Sequence, residues 1–247
     1  MSRWRSDVRY ALMMLPVTAA AALSVMLYQR ELLGDQLEQM AAQVGGFPAL
    51  LAIGLAQTCV LVLIACLAGR HLAGKLGIWK PLKFEKKPVL QVLALGLGFG
   101  LLMLSDHFVL GKWYPWIRRA NLAGNTPAGI VSALLYGGIV EELLLRLGFM
   151  TPVCWGLWKL FARREETAPR WVFPAGAMLA ALVFAAGHLP VTVQLFGGLD
   201  AMVVLRCFLI NGGFGFGLLY EKYGLHYAML SHLTCHLCFK LLLALCL

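Results

Sequence analysis

The sequence predicts an all-α fold, a polytopic membrane helix bundle of about seven transmembrane helices. Of its 247 residues, 60% are hydrophobic and 13% are charged, whereas ordinary soluble domains are about 25% charged. A helix that crosses a bilayer needs about 20 mostly apolar residues, and seven such stretches follow one another along the chain. These observations exclude a soluble globular enzyme. No internal repeat or low-complexity tract divides the chain, so we expect a single domain over residues 1–247.

The predicted spans are separated by short polar connections that carry most of the charge. They cover approximately residues 10–28, 47–68, 89–110, 128–149, 174–196, 201–220 and 226–247. The first also resembles a signal peptide, because three arginines precede an apolar run with small residues at 18–22. Since that run continues to Tyr28, an uncleaved helix is the preferred interpretation.

The basic residues predict an orientation, because Lys and Arg that flank spans stay on the cytoplasmic side. With the N-terminus cytoplasmic, fourteen of the 21 Lys and Arg residues lie in inner segments and four in outer ones. The net charge of +9 is therefore explained by the basic residues that flank the spans on the cytoplasmic side. No nucleic-acid partner is expected. We predict an integral multi-pass protein of the cell membrane with a cytoplasmic N-terminus.

Several smaller features predict local structure. Apolar residues at helical spacing in 33–44 predict a short interfacial helix. Aromatic residues among Lys and Arg in 155–164 predict that the fourth helix leaves the membrane there, at the level of the cytoplasmic headgroups. The pairs Gly96/Gly100 and Gly213/Gly217 are interpreted as close helix packing. The seven cysteines, odd in number and mostly in apolar runs, imply no disulfide scaffold.

The fourth span holds three ionisable residues, Glu141, Glu142 and Arg146. Each charge at the middle of a membrane costs roughly 2.5–3.5 kcal/mol even on insertion scales, so a partner or a function must retain them. Glu142 and Arg146 are four residues apart and are expected to pair on one helix face. Glu141 points about 100° away and needs a partner on another helix. A purely structural ion-pair cluster is the alternative interpretation.

Histidines in two later spans are candidates to meet Glu141. His188 follows Phe184 at a spacing of four, and His232 and His236 are likewise four apart on one face. A carboxylate and an imidazole shielded from bulk water can deprotonate a water molecule, and further imidazoles can stabilise an oxyanion. The same four residues, Glu141, His188, His232 and His236, are also candidate ligands of a possible Zn²⁺ ion.

In order and spacing, these motifs resemble those of the CAAX protease and bacteriocin-processing (CPBP, or Abi) family of intramembrane peptidases. The likeness covers roughly residues 112–240, the expected peptidase-like core, and includes the glycine-rich segment 213–225. The resemblance implies a helical-bundle endopeptidase in which Glu141 and His188 activate water. It also implies that His232 and the residue four positions on stabilise the oxyanion, with Glu142 and Arg146 in support. The residue four positions after His232 is ordinarily Asn or Asp in the family, and in this chain it is His236.

The expected partners are the lipid bilayer and a membrane-associated peptide or protein substrate. Two other functions stay open: a catalytically silent relative that binds, regulates or confers immunity, and a transporter with a Glu and His proton relay. Other intramembrane peptidase motifs are absent from the sequence. Asp106 and His107 are interpreted as an interfacial polar pair. Cys235 and Cys238 are interpreted as core residues, with redox or metal binding as the alternative.

Overall fold

The computed structural model describes residues 3–196, 198 and 200–246, and every regular element among them is helical. Over these residues the chain forms nine helices: α1 (Arg3–Leu33), α2 (Asp35–Ala42), α3 (Phe47–Lys75), α4 (Lys86–Trp113), α5 (Pro115–Ala123), α6 (Pro127–Phe161), α7 (Val172–Val193), α8 (Ala201–Tyr223) and α9 (Leu225–Leu245). The all-α class is confirmed.

Seven of these helices are long and apolar enough to cross a membrane, which confirms the predicted number of spans. The molecule is an integral multi-pass membrane protein. Each predicted span overlaps one of these helices. Helix α6 is longer than predicted, since it has 35 residues and continues past residue 149 to Phe161. Helix α1 packs against α3 and α6, and its Ala11 and Ala21 are part of the core. Leu247, the predicted end of the last span, lies outside the described residues.

A short helix is present within the predicted residues 33–44 as α2, with Leu37 buried. The close packing predicted for Gly96 and Gly100 is also confirmed, since both lie on α4 against α9. A methyl group on Gly100 would lie 2.7 Å from Cβ of Cys238. Small residues thus bring the backbones of α4 and α9 together and fix the position of α9.

The second glycine pair behaves differently from the prediction. Gly217 does pack closely, since a methyl there would lie 2.8 Å from Cβ of Ala177. Gly213, by contrast, lies between two helical segments of α8 with φ of +60°. Glycine adopts this left-handed conformation without the penalty that a Cβ brings. The packing prediction is therefore wrong for Gly213, which interrupts α8 in the middle of the bundle.

Asp106 and His107 do not form the predicted interfacial pair. Asp106 is buried and accepts two hydrogen bonds from Arg206 of α8, at 2.8 and 2.6 Å. His107 is fully buried, and neither ring nitrogen has a hydrogen-bond partner among the described residues. Adjacent helical residues point about 100° apart, so Asp106 and His107 face different neighbours. Asp106 therefore pairs with a cation on another helix and not with His107. Cys235 and Cys238 are free thiols buried beside α4, consistent with core residues.

Candidate active site

The buried carboxylate of Glu142 is held from two sides. Its Oε2 lies 3.2 Å from Nε of Arg146, one turn along α6, which confirms the predicted ion pair. Its Oε1 lies 2.9 Å from Nδ1 of His232 on α9. Helical spacing could not show this second contact, which joins residues 90 positions apart in the chain. Glu142 therefore ties the position of one candidate histidine to that of Arg146.

Arg146 extends this network to the interruption in α8. Its guanidinium donates to the Gly213 carbonyl at 2.9 Å, and its own carbonyl accepts from Thr151. The Thr151 hydroxyl also lies 2.8 Å from the hydroxyl of Tyr220. An interrupted helix leaves backbone groups without intrahelical partners, and inside a bilayer these must be satisfied by protein. Arg146 satisfies one of them while it neutralises Glu142.

One face of α6 borders a cavity of about 680 Å³. The cavity lining includes Glu141, His188, His232 and His236. Four residues predicted from three motifs are thus brought to one space, whereas Glu142 and Arg146 are not among the residues that line it. The expected partner for Glu141 on another helix is not found, because no described residue forms a hydrogen bond or ion pair with it. Its carboxylate borders the cavity instead.

His188 lies at the end of the first helical segment of α7, immediately after Gly187. Its Nδ1 lies 2.9 Å from the Phe184 carbonyl, and the two rings meet edge to face. A carbonyl oxygen only accepts, so Nδ1 is the protonated nitrogen. In the neutral ring Nε2 then keeps its lone pair. His188 is therefore oriented and equipped to accept a proton.

His232 is stacked between two other rings. Phe216 and His236 lie on its two sides, each with its ring centroid 4.7 Å away. Because Nδ1 of His232 faces the Glu142 carboxylate, the neutral ring has its proton there and a lone pair on Nε2. Neither Phe216 nor the Glu142 contact was identified from the sequence. They fix both the plane and the tautomer of His232.

His236 differs from His232 in having no polar partner. Its Nδ1 is buried without a hydrogen-bond partner among the described residues. Its Nε2 lies against Gly137 of α6, where a methyl group would come within 2.6 Å. The Gly137-Gly138 pair in the sequence was the available signal for this close approach. Gly137 thus makes room for the imidazole, whose ring lines the cavity.

The zinc hypothesis depends on how the candidate ligands converge. Among the residues that the structure describes, no group of three or more His, Cys, Asp or Glu side chains is arranged to hold a metal ion. The rings of His232 and His236 stack face to face, and one nitrogen of His232 is already engaged by Glu142. The described arrangement does not fit a metal centre as it stands, and no step below depends on one.

Comparison with known proteins identifies a domain over this region. Residues 123–238 match the family of type II CAAX prenyl endopeptidase Rce1-like proteins. No curated protein and no solved structure matches the chain. The matched region contains all six candidate site residues and lies within the residues 112–240 expected from the motifs. The resemblance to the CAAX protease and bacteriocin-processing family is confirmed over this region, which is just under half of the chain.

Proposed function

We propose that this protein is an intramembrane endopeptidase that hydrolyses a peptide bond of a membrane-associated protein or peptide, with water activated by Glu141. The observation that supports this most is the contrast between two adjacent acids. Glu142 has two charged or polar partners, whereas Glu141 has none among the described residues and borders a cavity with three histidines. An unpaired carboxylate in a bundle this apolar is costly, so its retention favours a chemical role.

The first step is attack by water. The carboxylate of Glu141 accepts one proton from a water molecule in the cavity while the water oxygen bonds to the carbonyl carbon of the substrate. Nε2 of His188, which carries a lone pair, orients that water as a second acceptor. The product of the step is a tetrahedral intermediate with a negatively charged oxygen.

The second requirement is a donor for that oxyanion. His236 suits it, because its ring lines the cavity without a hydrogen-bond partner among the described residues and a neutral imidazole N–H donates as an amide does. The proton of neutral His232 is directed to Glu142, so His232 donates to the oxyanion only as an imidazolium, which the Glu142 carboxylate would stabilise. The intermediate then collapses: the C–N bond breaks, and Glu141 returns its proton to the leaving amine.

Substrate access fits a membrane-embedded reaction. Val183 of α7 lines the cavity and is 48% exposed. Most of the other lining residues are apolar, and a lateral opening towards the bilayer is part of the proposal. A peptide attached to the membrane could enter from the bilayer without crossing a polar surface.

The test is cleavage of a fluorogenic membrane-anchored reporter peptide by purified protein in lipid nanodiscs. We expect Glu141→Gln, which is nearly isosteric, to abolish turnover and leave the melting temperature unchanged. The matched control is Glu165→Gln, the same change at an exposed loop residue, which should cleave at the parent rate. Undiminished turnover in Glu141→Gln would remove this residue from the mechanism. A parent protein that binds the reporter without cleaving it would indicate the silent relative instead.

A further inference from the structure

The first turns of α1 carry a second candidate binding site, separate from the cavity. An open groove of about 630 Å³ runs along one side of the helix there. Its lining combines two cations with apolar side chains: Trp4, Arg5, Val8, Arg9, Leu12 and Met13. None of these residues lines the cavity of the candidate active site.

A different side of α1 holds the helix in the bundle. Asp7 is 2% exposed and pairs with Arg70 of α3 at 3.3 Å. Arg70 also donates to the Ser6 hydroxyl at 2.7 Å. By contrast, Leu12 and Met13 in the groove are 55% and 60% exposed. Within the described residues, the groove therefore lies on a side of α1 that the bundle leaves uncovered.

Arg5 and Arg9 have no counter-charge among the described residues. Neither forms a hydrogen bond, ion pair or ring contact there, and Asp7 is already paired with Arg70. The two arginines are one helical turn apart, a spacing at which like charges destabilise a helix. The first turn of α1 contains no acidic residue, although a helix N-terminus favours anions over cations. Both arrangements cost helix stability, so an anion from outside the chain would be stabilising here.

The apolar part of the groove indicates what carries that anion. At 1.5 Å per residue, the stretch from Arg5 to Met13 extends about 12 Å along the helix axis. One leaflet of the hydrocarbon core is about 15 Å deep, half of the whole core. Trp4, at the start of the groove, is 61% exposed, and tryptophan favours the level of the headgroups. A free inorganic anion gains nothing from the apolar residues, whereas a phospholipid suits both parts of the groove.

We propose that this groove binds one anionic phospholipid. Arg5 and Arg9 hold the lipid phosphate through charge-assisted hydrogen bonds, and an acyl chain lies along Val8, Leu12 and Met13. Lipid bound there stabilises the first turns of a helix whose last turns line the cavity. The proposal does not depend on the peptidase function, because the groove and the cavity share no residue.

The experiment counts the lipids bound to the purified full-length protein by native mass spectrometry. Protein in detergent is titrated with phosphatidylglycerol and, separately, with phosphatidylcholine that has the same acyl chains. We expect the anionic lipid to bind at least about 10-fold more tightly, the scale expected for two basic residues beside an anionic headgroup. Arg5→Gln combined with Arg9→Gln should remove this preference, and each single substitution should remove part of it.

Matched controls separate the groove from the positive charge of the whole molecule. Lys86→Gln combined with Lys87→Gln removes two charges from exposed residues at the start of α4 and should leave the preference unchanged. Leu12→Gln keeps both arginines but makes the apolar part polar. It should weaken phosphatidylglycerol binding by at least about 3-fold, since less apolar surface is covered. A large excess of inorganic phosphate should not displace the lipid.

Several outcomes would overturn the lipid site. Equal binding of the two lipids does so, as does a preference that survives the double arginine variant. If that variant fails to fold, a full preference in both single variants overturns the site as well. An equal loss in the lysine control would assign the preference to overall charge, and displacement by inorganic phosphate would assign the groove to a free anion. Either result rejects the proposal. A preference that depends on Arg5 and Arg9 in a protein that hydrolyses no peptide would support the lipid site and reject only the peptidase function.

Discussion

The two sides of α9 are built in opposite ways. Towards α4, Gly96 and Gly100 bring the backbones so close that a methyl group has no room. Towards α6, the same helix presents His236 and Lys240 to a cavity, and each has fewer partners than its chemistry allows. A side with no vacant space supports the fold, whereas a side with vacant space and unpartnered donors suits a ligand. Substitutions should therefore separate into losses of stability on one side and losses of activity on the other.

The Glu142–Arg146 pair is fully buried, and breaking it should have the largest effect on stability. Arg146→Met leaves a buried carboxylate with one partner fewer and the Gly213 carbonyl without its donor. We expect the free energy of unfolding to fall by about 3–5 kcal/mol, as measured by denaturant titration in micelles. Turnover should fall too, because His232 loses its fixed position.

A double variant sharpens this prediction. Glu142→Gln combined with Arg146→Met removes both charges and should be less destabilising than Arg146→Met alone. The exposed Lys83–Glu85 pair is the control, and Glu85→Gln should leave stability unchanged within error. Equal costs for the single and double variants would show that Arg146 acts through packing and not through charge.

On the cavity side, His236→Ala should slow turnover with little change in stability. Removing an oxyanion donor typically costs about 2.7–4 kcal/mol of transition-state stabilisation, which is about 10² to 10³ in rate. His236→Asn keeps an N–H donor and should recover most of the rate. Parent-like turnover in His236→Ala would make His236 a packed core residue and reject the oxyanion role.

The same variants test the zinc hypothesis by elemental analysis of the purified protein. An amide replaces a hydrogen-bond donor but is a poor substitute for an imidazole ligand. Substoichiometric zinc together with chelator-insensitive turnover would leave the carboxylate mechanism described above. Loss of both bound metal and activity in His236→Asn would instead assign His236 as a ligand.

The smallest effect is expected on the side of α9 that faces α4. Gly100→Ala places a methyl group 2.7 Å from Cβ of Cys238 and should lower the free energy of unfolding by about 1–3 kcal/mol. Gly98, two residues away on the same helix, has open space around it. Gly98→Ala should be neutral or stabilising by up to about 1 kcal/mol, since alanine favours the helix. Equal effects of the two substitutions would show that α4 and α9 are not closely packed in the membrane.

The sequence by itself was enough to predict the seven spans, because the bilayer demands apolar length and length is read directly from the chain. It also determined the Glu142–Arg146 pair, which depends only on the helical repeat. Glu141, His188, His232 and His236 could be selected because ionisable groups in spans need a reason. These inferences use distances along one helix, which the helical geometry specifies in advance.

Only the tertiary structure decided which neighbour each of these groups meets. The contact of His232 with Glu142 and the hydrogen bond from Lys240 to the Gly124 carbonyl join distant parts of the chain. The same is true of Asp106 with Arg206. Such contacts depend on the rotation and separation of packed helices, which follow from the summed fit of many small residues. The spacing of residues along one helix does not determine how several helices pack together. The cavity and its unpartnered donors could therefore be identified only from the assembled bundle.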